Sequence, residues 1–144
     1  MVFGGIATIL HGVQRLTTDL DVIILMTPQN IEKVFTTLGK MGYKPKVPVT
    51  VQEFKDPKNR NSWYKKKNMK VFSFYHNQDL TKIIDIAIED LIEYKDVKKN
   101  YKMAGKLRIP VISMGDLLKL KKRAGRTIDL IDIDDLKRLG RVKK

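Results

Sequence analysis

The sequence contains no cysteine, and no apolar run in it approaches the ~20 residues that a membrane-spanning helix requires. The protein therefore has neither disulfide bonds nor a thiolate metal site, and we expect no membrane-spanning segment. The first residues, Met1-Val2-Phe3, lack the basic and long apolar regions of a secretory signal. This favours a cytoplasmic location.

Acidic residues are scarce, since the 144 residues include 16 Asp and Glu against 29 Lys and Arg, a formal net charge of +13. The basic residues cluster in 55–70 and in 119–144. Such clusters attract polyphosphates and nucleic-acid backbones through counterion release, without sequence information. A solvated basic surface gives the same pattern, so both interpretations stay open.

The length predicts a single domain over residues 1–144, which is large enough for a core and a cleft. A helix capped by Asn30 is expected, and the polar, basic segment 43–68 is interpreted as a surface excursion in which Asp56-Pro57 begins a short helix. Helices and strands alternate, so we predict an α/β or α+β fold with a mixed sheet flanked by helices. The strand patterns lie at 19–25, 69–75, 82–88 and 106–111, and the helical patterns at 6–11, 31–41, 91–100, 114–123 and 132–139.

Two carboxylates, Asp19 and Asp21, head the apolar run 22–25. Side chains at positions i and i+2 of a strand point to the same face, about 6.6 Å apart along the backbone, so this pair needs a cation. A third acid, Asp85, lies among apolar residues in 83–88, where burying a lone carboxylate costs several kcal/mol. A salt bridge to a lysine or arginine would compensate it. If its strand lies beside that of Asp19 and Asp21, the three carboxylates would instead suit Mg²⁺ or Mn²⁺.

The glycine pair Gly4-Gly5 precedes a short helical stretch, and Arg-x-Thr-x-Asp-x-Asp-hydrophobic follows at residues 15–22. This order resembles the first motif of the nucleotidyltransferase superfamily, the minimal fold shared by polymerase β and many small transferases. Residues 121–132 are similar to the Lys-x-x-Ala-x-Arg-x-x-Asp-x-x-Asp motif of its abortive-infection-type toxin branch. Only three residues precede the glycine pair, so we expect a short first strand.

The resemblance implies an enzyme: a metal-dependent nucleotidyltransferase that moves a nucleoside monophosphate from an NTP, such as ATP, to an acceptor hydroxyl. The basic surface suits an RNA or tRNA end as that acceptor. The toxin branch further implies a toxin–antitoxin context, with an antitoxin-like partner protein. The alternative is a catalytically inactive nucleic-acid-binding module with the same fold.

The resemblance also implies roles for individual residues. The metal ligands are Asp19, Asp21 and Asp85, with Mg²⁺ or Mn²⁺ as cofactor. Lys121 faces the nucleotide, where its charge neutralises the phosphoryl group. The glycine turn lets phosphate approach the backbone. Arg15, Thr17 and Thr18 add phosphate contacts. The alternative for these residues is an ion pair with the acidic cluster and ordinary positions in a strand.

Other residues remain secondary candidates because each has a simpler interpretation. Lys119 and Lys122 compete with Lys121 for its role. His11 and His76 are each more typical of local hydrogen bonding than of a catalytic base. Trp63 and Tyr64 either stack on a base or anchor the basic segment. Arg126 and Asp129, three residues apart, are typical of a surface helix pair.

Overall fold

The computed structural model describes residues 1–88 and 94–142. Within them the fold is α+β, with helices and a mixed seven-stranded sheet, as predicted. The strands are β1 (Val2–Phe3), β2 (Asp19–Val22), β3 (Tyr43–Pro45), β4 (Val71–His76), β5 (Ile83–Ala87), β6 (Lys99–Ala104) and β7 (Leu107–Ile112). The helices are α1 (Gly4–Leu10), α2 (Pro28–Lys40), α3 (Val51–Lys55), α4 (Pro57–Lys67), α5 (Met114–Ala124) and α6 (Thr127–Val142).

The chain forms two compact units, here called unit 1 (residues 1–20 and 97–144) and unit 2 (residues 21–96). That the two form one domain, as the length indicates, stays a prediction. No helix in residues 1–88 and 94–142 is both long and apolar enough to cross a membrane.

Unit 1 joins the two ends of the chain. Its short β1 runs parallel to β7, with Val2 opposite Val111, and β7 pairs antiparallel with β6. Ser113 caps the start of helix α5, because its hydroxyl accepts the Asp116 N–H at 3.2 Å, and Gly125, with a φ of 64°, caps its end. Apolar residues of α1, β7, α5 and α6 make its core: Ala7, Val111, Ile112, Leu117, Ile133 and Leu136.

Unit 2 contains the antiparallel strands β3, β4 and β5 in that order. An aromatic cluster fills its core, with ring centroids 4.8 to 6.0 Å apart among Phe35, Phe54, Phe72 and Phe74. The Trp63 ring stacks on Phe72 at 6.1 Å. Trp63 therefore anchors α4 to this core, which is the second of the two interpretations its position allowed.

Segment 43–68 is not a surface excursion, so that expectation is wrong. It supplies β3 to the sheet and the fully buried Phe54 to the core. The helix start at Asp56-Pro57 is confirmed, because the Asp56 carboxylate accepts the Lys58 N–H at 2.8 Å. The segment is mostly polar, but a few large apolar side chains within it, such as Phe54 and Trp63, pack into the core.

Two predicted helix positions also need correction. Thr27, not Asn30, caps α2, because the Thr27 hydroxyl accepts the Asn30 N–H and Pro28 fills the first helical position. Of the helix predicted over 91–100, residues 91–93 lie outside the described part. The rest is not helical, since 94–96 form a turn and β6 begins at Lys99.

Candidate active site

The glycine pair forms a turn that only glycine accommodates. Gly4 has a φ of 65°, in the left-handed region that other residues rarely adopt. A Cβ on Gly5 would lie 2.7 Å from the Thr17 hydroxyl oxygen, closer than any ordinary contact. The Thr8 hydroxyl donates to the Gly4 carbonyl at 3.0 Å and fixes the turn from inside α1. The predicted motif residues Gly5 and Thr17 are therefore in direct contact.

The acidic pair lies on β2, as predicted, with Asp19 and Asp21 both half-buried at positions i and i+2. The Thr18 hydroxyl donates to the Asp19 carboxylate at 2.9 Å. Thr18 thus orients a predicted metal ligand.

Asp85 lies on β5 opposite Ser73 of β4, between the buried Ile84 and Ile86. Its Oδ1 atom is buried and has no hydrogen-bond partner among the described residues. No ion pair found in that part of the chain involves Asp85, so the salt bridge that was one alternative is not observed. A buried, unsatisfied carboxylate oxygen is costly, and a cation would satisfy it.

The donor set suits Mg²⁺ or Mn²⁺, because all three predicted ligands are carboxylates and one buried oxygen lacks a partner. Within residues 1–88 and 94–142, no group of three or more histidine or acidic side chains is placed to hold a metal ion. The metal site at Asp19, Asp21 and Asp85 therefore stays a prediction.

A buried charge network surrounds Lys121, whose side chain is 5% exposed. Its ammonium group donates to Asp132 at 2.6 Å and lies 3.4 Å from Asp129, both on α6. Arg15, which precedes β2, also binds the Asp132 carboxylate. The network joins the two sequence motifs through unit 1. Arg15 does form an ion pair, but its partner is Asp132 of the later motif rather than the expected acidic cluster of Asp19 and Asp21.

Arg126 closes the network on its exposed side. Its guanidinium donates to both carboxylate oxygens of Asp129, at 2.7 and 3.2 Å, and its backbone N–H donates at 3.3 Å. Burial alone would raise the pKa of Asp129, but the Arg126 hydrogen bond and the charges of Arg126 and Lys121 together hold that pKa below its ordinary value of 3.8. Arg126 and Asp129 do form the expected pair, but Asp129 is 1% exposed, so its expected position on the surface is wrong.

Asp132, the last residue of the later motif, belongs to the network although it is not among the site residues expected from the sequence. It receives both Lys121 and Arg15, which makes it the acid shared by the two motifs. The signal for it was its spacing of three residues from Asp129, because residues i and i+3 share one helix face.

The remaining candidates make local contacts that stabilise the fold, or lie exposed on the surface. His11 is buried, with Nε2 2.8 Å from the Ile112 carbonyl oxygen, which ties α1 to β7. His76 lies edge-on to the Tyr43 ring, with centroids 5.1 Å apart. Lys119 pairs with Asp116 at 3.0 Å on the surface, and Lys122 is exposed. Of the three competing lysines, Lys121 alone belongs to the buried network.

A comparison with solved structures finds a protein with a similar fold. The chain superimposes on the crystal structure of the lincosamide antibiotic adenylyltransferase LnuA, lincomycin-bound, with a TM-score of 0.61 over 96% of this chain and 85% of that one. The chain therefore shares the fold of this adenylyltransferase. At 20% identity the likeness concerns the fold, not the substrate. No protein-family model matches the chain, and no curated protein matches it either.

Proposed function

We propose that this protein is a metal-dependent nucleotidyltransferase that moves a nucleoside monophosphate from an NTP to an acceptor hydroxyl. The observation that carries the proposal is the buried, partnerless carboxylate oxygen of Asp85 in a fold shared with an adenylyltransferase. A cation bound there would remove the cost of that oxygen. The adenylyl group in the neighbour's name favours ATP as the NTP.

The reaction replaces one phosphorus–oxygen bond with another and releases the proton of the acceptor hydroxyl to solvent. The acceptor oxygen attacks the α-phosphorus, the bond from that phosphorus to the bridging oxygen breaks, and pyrophosphate leaves. A divalent ion, Mg²⁺ or Mn²⁺, held by Asp19, Asp21 and Asp85 would neutralise phosphate charge and favour ionisation of the acceptor hydroxyl.

In this proposal, residues of unit 1 bind the phosphate groups of the NTP and orient a metal ligand. The Gly4-Gly5 turn lets phosphate oxygens approach the backbone, and Thr18 holds the Asp19 carboxylate in place. Lys121 supplies positive charge to the phosphoryl group from a position fixed by two aspartates. The hydrogen bonds of Arg15 use only part of its five donors, which leaves capacity for phosphate. Thr17 adds a hydroxyl beside the glycine turn.

The acceptor in this proposal is an RNA or tRNA end, because the net charge of +13 attracts a polyanion. A small-molecule hydroxyl is the second candidate, favoured by the lincomycin bound to LnuA. The similarity of residues 121–132 to the toxin branch supports a toxin–antitoxin context. In that context, an antitoxin-like partner protein would inhibit this one.

The test is incubation with α-labelled NTPs, Mg²⁺ or Mn²⁺, and either total RNA or hydroxylated small molecules. Asp21→Asn should reduce transfer by about a hundredfold or more, because the metal contributes several kcal/mol to the transition state. Asp134→Asn removes the same charge at an exposed position of α6 and should transfer at the native rate. Equal labelling by Asp21→Asn and the native protein would refute the mechanism. RNA binding with no transfer under any condition would favour the inactive module.

A further inference from the structure

The β6–β7 hairpin is an unusually basic surface of unit 1. Residues 98–108 contain five lysines and arginines and no acid. None of the ion pairs found in the described part of the chain involves Lys106 or Arg108, and both are exposed. Within the described residues, the charges of Lys106 and Arg108 are therefore not neutralised by an ion pair.

One face of the hairpin combines these charges with exposed apolar side chains. Tyr101 and Met103 are two residues apart on β6, and Met103 pairs with Arg108 on β7, so the three share a face. Tyr101 is 53% exposed and Met103 is 64% exposed. Lys99, also exposed, lies on the same face, and Lys106 lies in the turn. We call Lys99, Tyr101, Met103, Lys106 and Arg108 the hairpin surface.

The aromatic ring on this surface is already held for stacking. The Arg108 guanidinium carbon lies 3.9 Å from the centroid of the Tyr101 ring, within the range of a cation–π contact. This contact limits the motion of the ring while leaving half of the residue exposed. A ring kept in place beside cationic side chains can stack on a nucleobase at little entropic cost.

The strand that carries the ring also lies at an edge. Within unit 1 the strand order is β1, β7, β6, and no strand of the described residues pairs with the outer side of β6. An extended ligand can therefore follow β6 along its length. Single-stranded nucleic acid is extended, negatively charged and rich in stackable bases, so it complements this edge in shape and charge.

We propose that the hairpin surface binds single-stranded RNA, with a base stacked on Tyr101 and with Lys99 and Lys106 on phosphates. The inference rests on the proposed function and deepens it, because it assigns the surface that would hold an RNA acceptor. The binding itself requires neither NTP nor metal.

The experiment measures fluorescence anisotropy of labelled 12-nucleotide RNAs, rich in A or in U, with EDTA and without NTP, from 50 to 200 mM salt. Tyr101→Ala should weaken binding about tenfold, because stacking on one base is lost, and Tyr101→Phe should retain it. The Lys99→Ala/Lys106→Ala double variant should weaken binding and reduce the slope of log affinity against log salt by about 1.4, the value for two phosphate contacts to a single strand.

The matched control is Lys65→Ala/Lys66→Ala, which removes the same charge from exposed positions of α4 in unit 2. It should bind within about twofold of the native protein. Melting temperatures of all variants confirm that each is folded. Equal weakening by this control, native affinity of Tyr101→Ala, equal competition by duplex RNA, or no binding by the native protein at 50 mM salt would each overturn the proposal.

These outcomes separate the two proposals. Transfer of label to a small hydroxyl compound with no RNA binding would leave the transferase standing and remove the hairpin surface. RNA binding lost in Tyr101→Ala, together with no transfer to any acceptor, would leave the hairpin surface standing and remove the transferase.

Discussion

The contact between Gly5 and Thr17 makes the second glycine of the pair sensitive to a single added methyl group. Gly5→Ala would place a Cβ 2.7 Å from the Thr17 hydroxyl oxygen and 3.0 Å from its Cβ. Thr17 is β-branched and cannot easily rotate away. We expect the free energy of unfolding to fall by about 1–3 kcal/mol, measured by urea denaturation.

Gly39→Ala is the matched control for this change. A Cβ on Gly39, in α2, meets no atom within 4 Å, so alanine should be neutral or stabilise by about 0.4–1 kcal/mol. Adding Thr17→Ala to Gly5→Ala should recover part of the loss. Native stability of Gly5→Ala would show that the turn relaxes without cost.

The low pKa of Asp129 predicts a pH dependence of stability. Because the folded-state pKa is below 3.8, the ionised carboxylate contributes stability that is present above pH 3.8 and is lost as the pH falls through the folded-state value. Asp129→Asn should therefore be less stable at pH 7 and should lose less stability on acidification below pH 4.

Thermal unfolding between pH 7 and pH 2.5 measures this difference. Asp134→Asn, an exposed position on the same helix, is the control and should follow the native curve. Parallel curves for Asp129→Asn and the native protein would mean that Arg126 and Lys121 do not stabilise the charged form.

At the level of elements, α5 and α6 are joined by charge as well as by apolar packing. Lys121→Met would leave the buried carboxylates of Asp129 and Asp132 without their shared ammonium group. Removing one partner from a buried ionic group typically costs about 3–5 kcal/mol. We expect a loss at the low end of that range, because Arg15 and Arg126 still pair with these acids.

Lys122→Met tests whether this loss comes from burial. Lys122 is the next residue and is exposed, so its replacement should change the free energy of unfolding by no more than about 0.5 kcal/mol. Urea denaturation of both variants gives the comparison. Similar losses in the two would indicate helix propensity rather than the buried network.

Some elements were predictable from the sequence because their pattern was local. The strands β4, β5 and β7 and the helix starts at Ser113 and Asp56 follow from apolar runs and capping residues. Strand β6 was missed because most of its residues are exposed, so no apolar alternation marks it. It forms because it pairs with β7. The buried ion pairs of Lys121 were missed for a related reason, since spacing alone does not show which side chains meet across helices.

For the whole molecule, ligand binding should appear as a gain in stability. An NTP with Mn²⁺ at 100 times its dissociation constant should raise the free energy of unfolding by about 2.7 kcal/mol, because only the folded chain binds it. Asp85→Asn should lose this gain, since it replaces the buried oxygen that lacks a partner. Asp134→Asn should keep it. Absence of any shift in the native protein, measured by thermal denaturation, would count against nucleotide binding.

The single tryptophan of the chain lies in unit 2, stacked on Phe72. Its emission spectrum therefore reports the loss of that aromatic cluster, whereas far-ultraviolet circular dichroism averages over the backbone of both units. Coincident denaturation curves from the two signals would mean that residues 1–144 unfold as one cooperative domain, and separate midpoints would mean two. Trp63 thus gives this protein an intrinsic fluorescent label for one half of its fold.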